Sequence, residues 1–391
     1  GVRLEWAALP DTPAARQSAT VRASPYALWQ PAGGWELRAG IRIDADAQRG
    51  GSASFDRARA HLGDTYLRYR GGDTRITVGS QTVLWGRVDA IPLIDRVSRA
   101  DIGRFALDDL PARRLPQPAL RWEQTIGELK LDAVLLPGFR GAYLPDRRSV
   151  WHPVDPRRGE IIGIVTSAPQ AAFVQGARVR QDDGGSGGAG LRLTYTLEGA
   201  ADVGLTLART RQSLPYFEAD PAAGTLTAIH PHVRFVGVDA ELATDAATWR
   251  TELGWSANVP FTAPGGARVD RDLLEWVGAV EFFPGGDDTR VNLQLAARSV
   301  RGGAPIQQIR RMLALNGEIE TEFAQGRWKA ALRFNVGLNV HDVYLSPRIS
   351  YLGWEPHTLY LAAHVFEGSR RSFGGFHRRH DLVAVGLETR F

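Results

Sequence analysis

The sequence is short of several residue types, and each shortage excludes a class of protein. It contains no cysteine among 391 residues, which excludes disulfides and thiolate chemistry. It also has no long apolar run, and a transmembrane helix needs about 20 mostly apolar residues, so helical membrane spans are excluded. Of its 47 basic residues only Lys130 and Lys329 are lysine. This composition fits an exported protein without crosslinks, while a two- or three-domain soluble protein is the alternative for this length.

Signatures of enzymes and of metal or nucleic-acid binding are also missing. There is no Gly-x-Ser-x-Gly elbow, phosphate loop, His-Glu-x-x-His helix or dinucleotide fingerprint. The pairs His230 and His232, and His377 and His380, come without carboxylates at ligand spacing, so we expect no metal site and no cofactor. A formal net charge of +4 spread over the whole chain argues against a nucleic-acid-binding stripe. We therefore predict that the protein is not an enzyme.

What the sequence does contain is alternation with a period of two, the mark of strands rather than helices. In residues 327–339 apolar side chains at every second position oppose charged and amide side chains. The apolar set is Trp328, Ala330, Leu332, Phe334, Val336 and Leu338. The same pattern recurs nearly end to end, at 1–9, 17–30, 34–47, 57–71, 73–86, 117–126, 128–137, 190–199, 201–211, 231–242, 245–257, 272–283, 287–300, 309–324, 326–339, 341–352, 355–368 and 378–391.

These segments predict an all-β fold, a transmembrane antiparallel β-barrel of about 18 strands that occupies residues 1–391 as a single domain. An even strand number is usual for bacterial single-chain barrels. The connections alternate between tight and long, and short periplasmic turns with long external loops are the expected asymmetry. Most of the aromatic residues near the tight turns fit an interfacial girdle; they are Trp29, Trp35, Tyr69, Phe282, Phe323, Trp328, Tyr351, Trp354 and Phe391.

The two ends of the chain point to export. Residues 386–391, Gly-Leu-Glu-Thr-Arg-Phe, resemble the C-terminal signal by which the bacterial assembly machinery recognises outer-membrane barrels. That resemblance implies the outer membrane of a Gram-negative bacterium. The start at Gly1 has neither a basic nor an apolar segment, so we expect that a secretory signal has been removed. Outer-membrane lipid and lipopolysaccharide are then the expected surroundings.

The segment 87–116 is the most informative connection. It carries six arginines against five aspartates, and it has enough Ile, Leu, Val and Phe to fold. Structureless loops of this length are usually functional or disordered. We interpret it as a constriction loop folded into the lumen, and an external loop packed over the mouth remains the alternative. Residues 138–189 form the longest external connection, and its Gly-rich tract at 182–188 suggests a flexible linker.

Two stretches around this connection resemble a known family. VGSQTVLWGRVD at 78–89 and LPARRLPQPALRWEQTIGELKLDAVLLPGF at 110–139 are similar to a porin-like outer-membrane β-barrel family of largely unassigned function, distantly similar to alginate-export channels. Gln81, Trp85 and Gly86 match the family pattern of a Gly-x-Gln strand leading into Trp-Gly. The resemblance implies an eighteen-stranded channel or exporter barrel, and it implies no substrate.

The face opposite the apolar side chains is crowded with charge, which a water-filled lumen tolerates. We predict that the constriction involves Arg68, Arg75, Gln81, Trp85, Arg87, Asp89, Asp95, Arg96, Arg99, Asp101, Arg104 and Arg121. A charge lattice on the lumen wall comprises Glu318, Glu320, Glu322, Arg327, Lys329 and Arg333. Across the hairpin at 323–326, Glu320 should face Lys329 and Glu322 should face Arg327. The alternative for any such pair is a purely structural role in a lattice that keeps the wall rigid.

These features predict an outer-membrane channel that passes small or extended anionic solutes through an arginine-rich lumen. Arginines near the external mouth, such as those at 301–311 and 368–380, would concentrate anions, unless lipopolysaccharide phosphates neutralise them. The alternative is a barrel that serves as the outer-membrane component of a multi-protein exporter or electron conduit, with periplasmic or inner-membrane transport partners and little conductance alone. Substrate identity, a small molecule or a polymer, is open at this point.

Overall fold

The computed structural model describes residues 1–90, 92–104, 106–197, 201–286 and 288–390. Within these residues, eighteen antiparallel strands form one closed barrel, which confirms the predicted fold class. The strands are β1 (Val2–Ala8), β2 (Gln17–Ala23 and Tyr26–Trp29), β3 (Trp35–Arg49), β4 (Phe55–Leu62 and Thr65–Gly71), β5 (Thr74–Gln81), β6 (Gln117–Ile126), β7 (Leu129–Leu136), β8 (Gly188–Leu197), β9 (Ala201–Arg211), β10 (His232–Ala243), β11 (Thr248–Thr262), β12 (Arg268–Phe282), β13 (Thr289–Val300), β14 (Arg311–Phe323), β15 (Trp328–Gly337), β16 (Asp342–Trp354), β17 (His357–Gly368) and β18 (Leu382–Thr389).

The barrel closes because its first and last strands pair. β1 runs antiparallel to β18, with Val2 opposite Thr389 and Ala8 opposite Val383. Each remaining strand pairs with its neighbours in the sequence, so no sheet edge is left open. Side chains alternate accordingly: on β9, Leu205 and Leu207 are exposed on the outside, while Thr206 and Ala208 are buried on the inside.

The two ends of the barrel differ in the lengths of their connections. At one end the strands join through tight turns, such as Gly72–Asp73 and Gly127–Glu128. At the other end the connections include 82–116, 137–187 and 212–231. Large aromatic side chains at the tight-turn end are exposed on the outer wall, among them Trp29, Trp35, Tyr69, Phe323, Trp328 and Trp354. Several are in ring contact, as Trp328 is with Tyr351 at 5.0 Å between centroids.

Several strand predictions were wrong at their ends. The predicted strand 73–86 ends at Gln81, so Trp85 and Gly86 lie in the following connection. The predicted strands 17–30 and 57–71 are each interrupted, the first at Ser24–Pro25, where a proline cannot donate to the ladder. The last strand begins at Leu382 rather than at 378, because a short helix precedes it. Phe391 and the predicted strand ends at 198–199 and 287 lie outside the described residues.

The long-loop end is capped by packed structure rather than by extended chain. The 137–187 connection contains the helix Ala168–Gly176, and its strand Arg178–Gln181 pairs in parallel with Thr225–Ile229 from the 212–231 connection. These elements precede the Gly-rich tract at 182–188, for which a flexible linker was predicted and which has no helix or strand up to residue 187. A histidine-aromatic cluster at this end comprises Trp151, Phe366, His377 and His380, with the Nδ1 atoms of His377 and His380 2.9 Å apart. No helix in the described part is long and apolar enough to cross a membrane.

Candidate pore constriction

The connection from β5 to β6, residues 82–116, folds back into the barrel and is called the lumen loop below. Its first half buries apolar side chains against the inward faces of β6, β7, β9 and β10. The buried cluster comprises Val83, Trp85, Ile94 and Val97 of the loop with Ala119, Val134, Leu136, Ala208 and Phe235 of the wall. Full burial of a Val, Leu, Ile or Phe side chain contributes about 1.5–3 kcal/mol. The placement agrees with the lumen-folded interpretation rather than with an external loop.

A single carboxylate on β11 anchors this half of the loop. Glu252 Oε1 accepts hydrogen bonds from the backbone N–H groups of Arg87 and Val88, and Oε2 accepts from those of Leu93 and Ile94, at 2.5 to 3.2 Å. The Glu252 side chain is fully buried at 0 % exposure. Four amide donors replace the water that this charge has lost, so the carboxylate ties two turns of the loop to the wall.

Gly86 permits this approach. Its φ of +115° lies in a region that side chains other than glycine rarely adopt. A Cβ there would also lie 2.8 Å from Pro92 Cβ and 2.9 Å from Glu252 Oε1. The Trp-Gly pair of the family pattern is thus explained by geometry, since only glycine lets the backbone pass over the Glu252 carboxylate.

The structure brings some of the predicted constriction residues together at the base of the loop. Trp85 Nε1 donates to Asp132 Oδ2 at 2.8 Å, and Arg121 Nη2 donates to the same oxygen at 2.6 Å. Gln81 donates to the carbonyl oxygens of Thr77 and Ala119, which closes the end of β5 onto β6.

Arg68 and Arg75 do not join this group. They lie nearer the tight-turn end, where Arg68 is paired with Glu36 at 2.9 Å and Arg75 with Glu123 at 3.2 Å. Asp95 is occupied within the loop, where it accepts from Arg114 Nε at 2.8 Å.

Charged residues of the first half bind β10 and strands further around the wall. Arg87 Nε donates to Asp239 on β10 at 2.5 Å, and Arg96 Nη2 lies 3.1 Å from Glu275 on β12. Asp89 accepts from Arg290 on β13 at 2.9 Å. These three predicted residues therefore bind strands β10, β12 and β13.

The second half of the loop is bound by a dense ionic cluster on the first strands. Arg104 Nη2 donates to Glu5 at 2.6 Å, and Asp108 accepts from Arg3 and Arg22, each at 3.0 Å. Asp101 is bound in the same way by Arg42 on β3. Burial opposes ionisation of Asp108, but the guanidinium groups around it outweigh this and lower the pKa of its carboxyl.

The loop also contacts the opposite wall. Arg333 on β15 donates to Asp109 at 2.8 Å, and the Tyr344 hydroxyl on β16 donates to the carbonyl oxygen of Ala106, also at 2.8 Å. Together with the contacts to β1–β3 and β10–β13, these bonds fix the loop across the lumen from several sides. The loop is thus held across the lumen, and most of its charged side chains are paired with wall residues.

Arg99 is the exception among the predicted arginines. Its Nε donates to the carbonyl oxygen of Gly141 at 2.8 Å, and no carboxylate oxygen of the described residues lies within 4.0 Å of it. Burial and the neighbouring Arg140 guanidinium lower the pKa of Arg99. Arg140 is exposed at the long-loop end. We call Arg99 and Arg140 the mouth arginines, because neither guanidinium forms an ion pair with a carboxylate of the residues that the structure describes.

In the predicted charge lattice of the wall, the cross-strand pairing differs from the prediction. Glu322, not Glu320, lies opposite Lys329, and Glu318 lies opposite Arg333. Lys329 Nζ nevertheless reaches Glu320 diagonally at 2.8 Å. The predicted facing of Glu322 and Arg327 was wrong as well, because Arg327 lies in the turn. Positive φ angles at Ala324, Gln325 and Gly326 extend this turn through residue 327, which shifts the pairing.

The partners that hold the loop were not singled out from the sequence. Glu5, Asp239 and Glu252 occupy lumen-facing positions that alternation alone could indicate. Their contacts with the loop join residues 99, 152 and 165 positions apart, however, and periodicity carries no information on such pairs.

Comparisons with known proteins agree with this geometry. A family model described as "Protein of unknown function (DUF1302)" matches residues 12–339. No curated protein matches the sequence significantly. Among solved structures, OccAB1 of Acinetobacter baumannii is 10% identical with a TM-score of 0.55, over 99% of this chain and 94% of that one. OccK5 of Pseudomonas aeruginosa is 9% identical with a TM-score of 0.56, over 99% and 95% of the two chains.

The similarity to solved structures shows the fold of this chain, and the match to the family model shows the family to which it belongs. The similarity to Occ proteins extends over nearly the whole barrel and confirms the predicted resemblance to porin-like proteins. The family model spans most of the sequence, including the lumen loop and its anchor Glu252. The chain therefore belongs to the DUF1302 family of unknown function, and its eighteen strands form a porin-like outer-membrane barrel fold.

Proposed function

We propose that this chain is a non-enzymatic channel in the outer membrane of a Gram-negative bacterium, in which one barrel domain passes small or extended anionic solutes. The observation that carries the proposal is the lumen loop, which is bonded across the lumen and leaves the mouth arginines without a carboxylate partner among the described residues. Its tight-turn end would face the periplasm and its long-loop end the outside.

Charge near the mouth supports the anionic part of the proposal. Most lumen arginines are neutralised by wall carboxylates, as Arg87 is by Asp239 and Arg121 by Asp132. Selectivity would therefore come from the few arginines that lack such partners. A low-dielectric wall raises the potential at these charges, and anions would be concentrated at the mouth, most strongly at low salt.

A second candidate function has its own support. The loop is bonded to strands on several sides of the lumen, and a barrel closed in this way could be the outer-membrane shell of a multi-protein exporter or electron conduit. Such a shell would conduct little alone and would depend on periplasmic or inner-membrane partners.

Deletion of residues 90–112 separates the two functions in planar bilayers. The truncated loop no longer fills the lumen cross-section, so we expect the single-channel conductance to rise several-fold over that of the intact protein. Deletion of the exposed residues 302–305 in the β13–β14 connection serves as the control and should leave conductance unchanged.

The outcomes discriminate clearly. Equal conductance of the intact and loop-deleted barrels would refute the constriction. An intact barrel that conducts nothing, together with a conducting deletion variant, would favour the shell over the channel.

A further inference from the structure

Three pairs of arginines lie directly opposite each other in the described strand ladders of the barrel. They are Arg3 with Arg22, Arg70 with Arg75, and Arg209 with Arg234. Directly opposed side chains have Cβ atoms about 4.5–5.5 Å apart, and like charges at that distance destabilise the pairing. Each pair therefore needs a compensating anion or a strongly hydrated position.

Two of the pairs face the lumen and have their anions. Arg3 and Arg22 share Asp108 of the lumen loop, each at 3.0 Å. Arg70 and Arg75 lie 4.0 Å from Glu36 and 3.2 Å from Glu123, respectively. In these pairs the protein itself supplies the counter-charge.

The third pair faces outward. Arg209 follows Leu205 and Leu207 at alternate positions of β9, and Arg234 precedes Val236 and Val238 on β10. The four apolar side chains are exposed on the membrane-facing wall, so both arginines belong to that wall. Neither guanidinium has a carboxylate within 4.0 Å or a side-chain hydrogen bond among the described residues.

The height of the pair places it at a membrane surface. A tilted barrel strand rises about 2.5 Å per residue along the barrel axis. Arg209 is the ninth residue of β9, counted from the tight-turn end. It therefore lies about 20 Å above that end, near the upper edge of an apolar band about 25 Å tall. Charged lipid headgroups occupy that depth.

We propose that Arg209 and Arg234 together bind the phosphate group of an outer-leaflet lipid on the outside of the barrel. Two adjacent guanidinium groups present paired N–H donors to phosphate oxygens, which is a favourable bidentate geometry. The lipid phosphate replaces the carboxylate that the two lumen pairs have. This inference rests on the proposed membrane location and is independent of solute transport.

The test compares retained lipid in native mass spectrometry after reconstitution with lipid A and detergent extraction. The double variant R209Q/R234Q should retain several-fold less lipid A than the intact barrel, and both should retain dephosphorylated lipid A equally poorly. R268Q is the control, since Arg268 at the start of β12 is an exposed arginine that is already paired with Asp270 at 2.9 Å. It should retain lipid A like the intact protein.

Melting temperature in detergent gives a second readout that does not depend on extraction. Without lipid, R209Q/R234Q should melt no lower than the intact barrel, because the like-charge repulsion is gone. Added lipid A should raise the melting temperature of the intact protein and not that of the variant. Equal retention of lipid A by the intact barrel and by R209Q/R234Q would overturn the lipid assignment. So would an increase in melting temperature with millimolar inorganic phosphate as large as that with lipid A. Failed insertion of every variant into vesicles would instead contradict the membrane location.

Discussion

Glu252 shows how one side chain can anchor half of a long loop. Its carboxylate is buried beneath the lumen loop and accepts four backbone N–H groups. Such hydrogen bonds to a charged group each contribute about 1.5–3 kcal/mol. A neutral amide at this position would present its own N–H donors to two of these groups.

We therefore expect E252Q to loosen the anchored half of the loop by about 2–4 kcal/mol. In planar bilayers this variant should show larger current fluctuations and a higher mean conductance than the intact channel. E322Q is a suitable control, because Glu322 also faces the lumen but lies exposed at the tight-turn end. A quiet trace with unchanged conductance for E252Q would contradict the anchoring role.

For single residues, the sequence predicts which face of the barrel a side chain occupies better than it predicts the residues that the side chain contacts. Alternation predicts that Glu318, Glu320 and Arg333 face the lumen, and Arg333 contacts Asp109 of the lumen loop. The partner of each charge depends on turn geometry and on loop contacts over long sequence separations. The left-handed residues at 324–326 illustrate this. Because they lengthen the turn, Lys329 lies opposite Glu322 and not opposite Glu320, as was predicted.

Among the elements, the packed connections at the long-loop end contain several buried histidines whose pKa values are lowered. Burial lowers the pKa of His152 to about 4 and that of His380 to about 3. In the unfolded chain these imidazoles would bind a proton near pH 6.5. The cap stability contributed by the neutral rings is therefore complete above pH 6.5 and falls as the pH drops towards 4.

We expect backbone amides in 369–381 to lose hydrogen-exchange protection between pH 7.5 and pH 4.5, after correction for intrinsic exchange. The double variant H377F/H380F keeps the ring contacts with Trp151 but removes two of the titrating groups, so its protection should change less. Protection that is equally pH-independent in both proteins would show that the histidines do not control the cap.

The element boundaries that were mispredicted have a common cause. The segment 82–86 alternates like a strand, yet apolar packing of Val83 and Trp85 against the inner wall takes it out of the ladder. Within the tract at 182–188, for which composition suggested a flexible linker, Asp183 accepts a hydrogen bond from the backbone N–H of Gly141. Tertiary contacts of this kind override local pattern.

For the whole molecule, the barrel itself was predictable. The period of two, the even strand count and the alternation of tight and long connections are repeated many times, so errors at single boundaries do not change the topology. The path of the lumen loop, in contrast, depends on a single set of contacts between residues that are far apart in the sequence, and no repeated pattern indicates it. This explains why the fold followed from the sequence, whereas the set of residues around the constriction followed only in part.

The proposed ion preference is a property of the entire pore. The variant R99Q/R140Q removes the mouth arginines, and we expect the reversal potential across a salt gradient to shift towards the value of a non-selective pore. The shift should be larger at low ionic strength, where screening is weak. R268Q removes an outward arginine and should have no effect. A pore of undiminished anion preference in R99Q/R140Q would place the selectivity elsewhere.

The cluster that joins the lumen loop to β1 has a consequence for assembly. Contacts of Arg104 and Asp108 with Glu5, Arg3 and Arg22 span only 86 to 105 positions, all within the first third of the chain. The seam between β1 and β18, in contrast, joins the two ends of the chain. Closure entropy favours the shorter connections first. The lumen loop can thus bind the first strands early in assembly and serve as a template around which the later strands pair. It would then be in place before the barrel closes and would not have to enter a closed barrel.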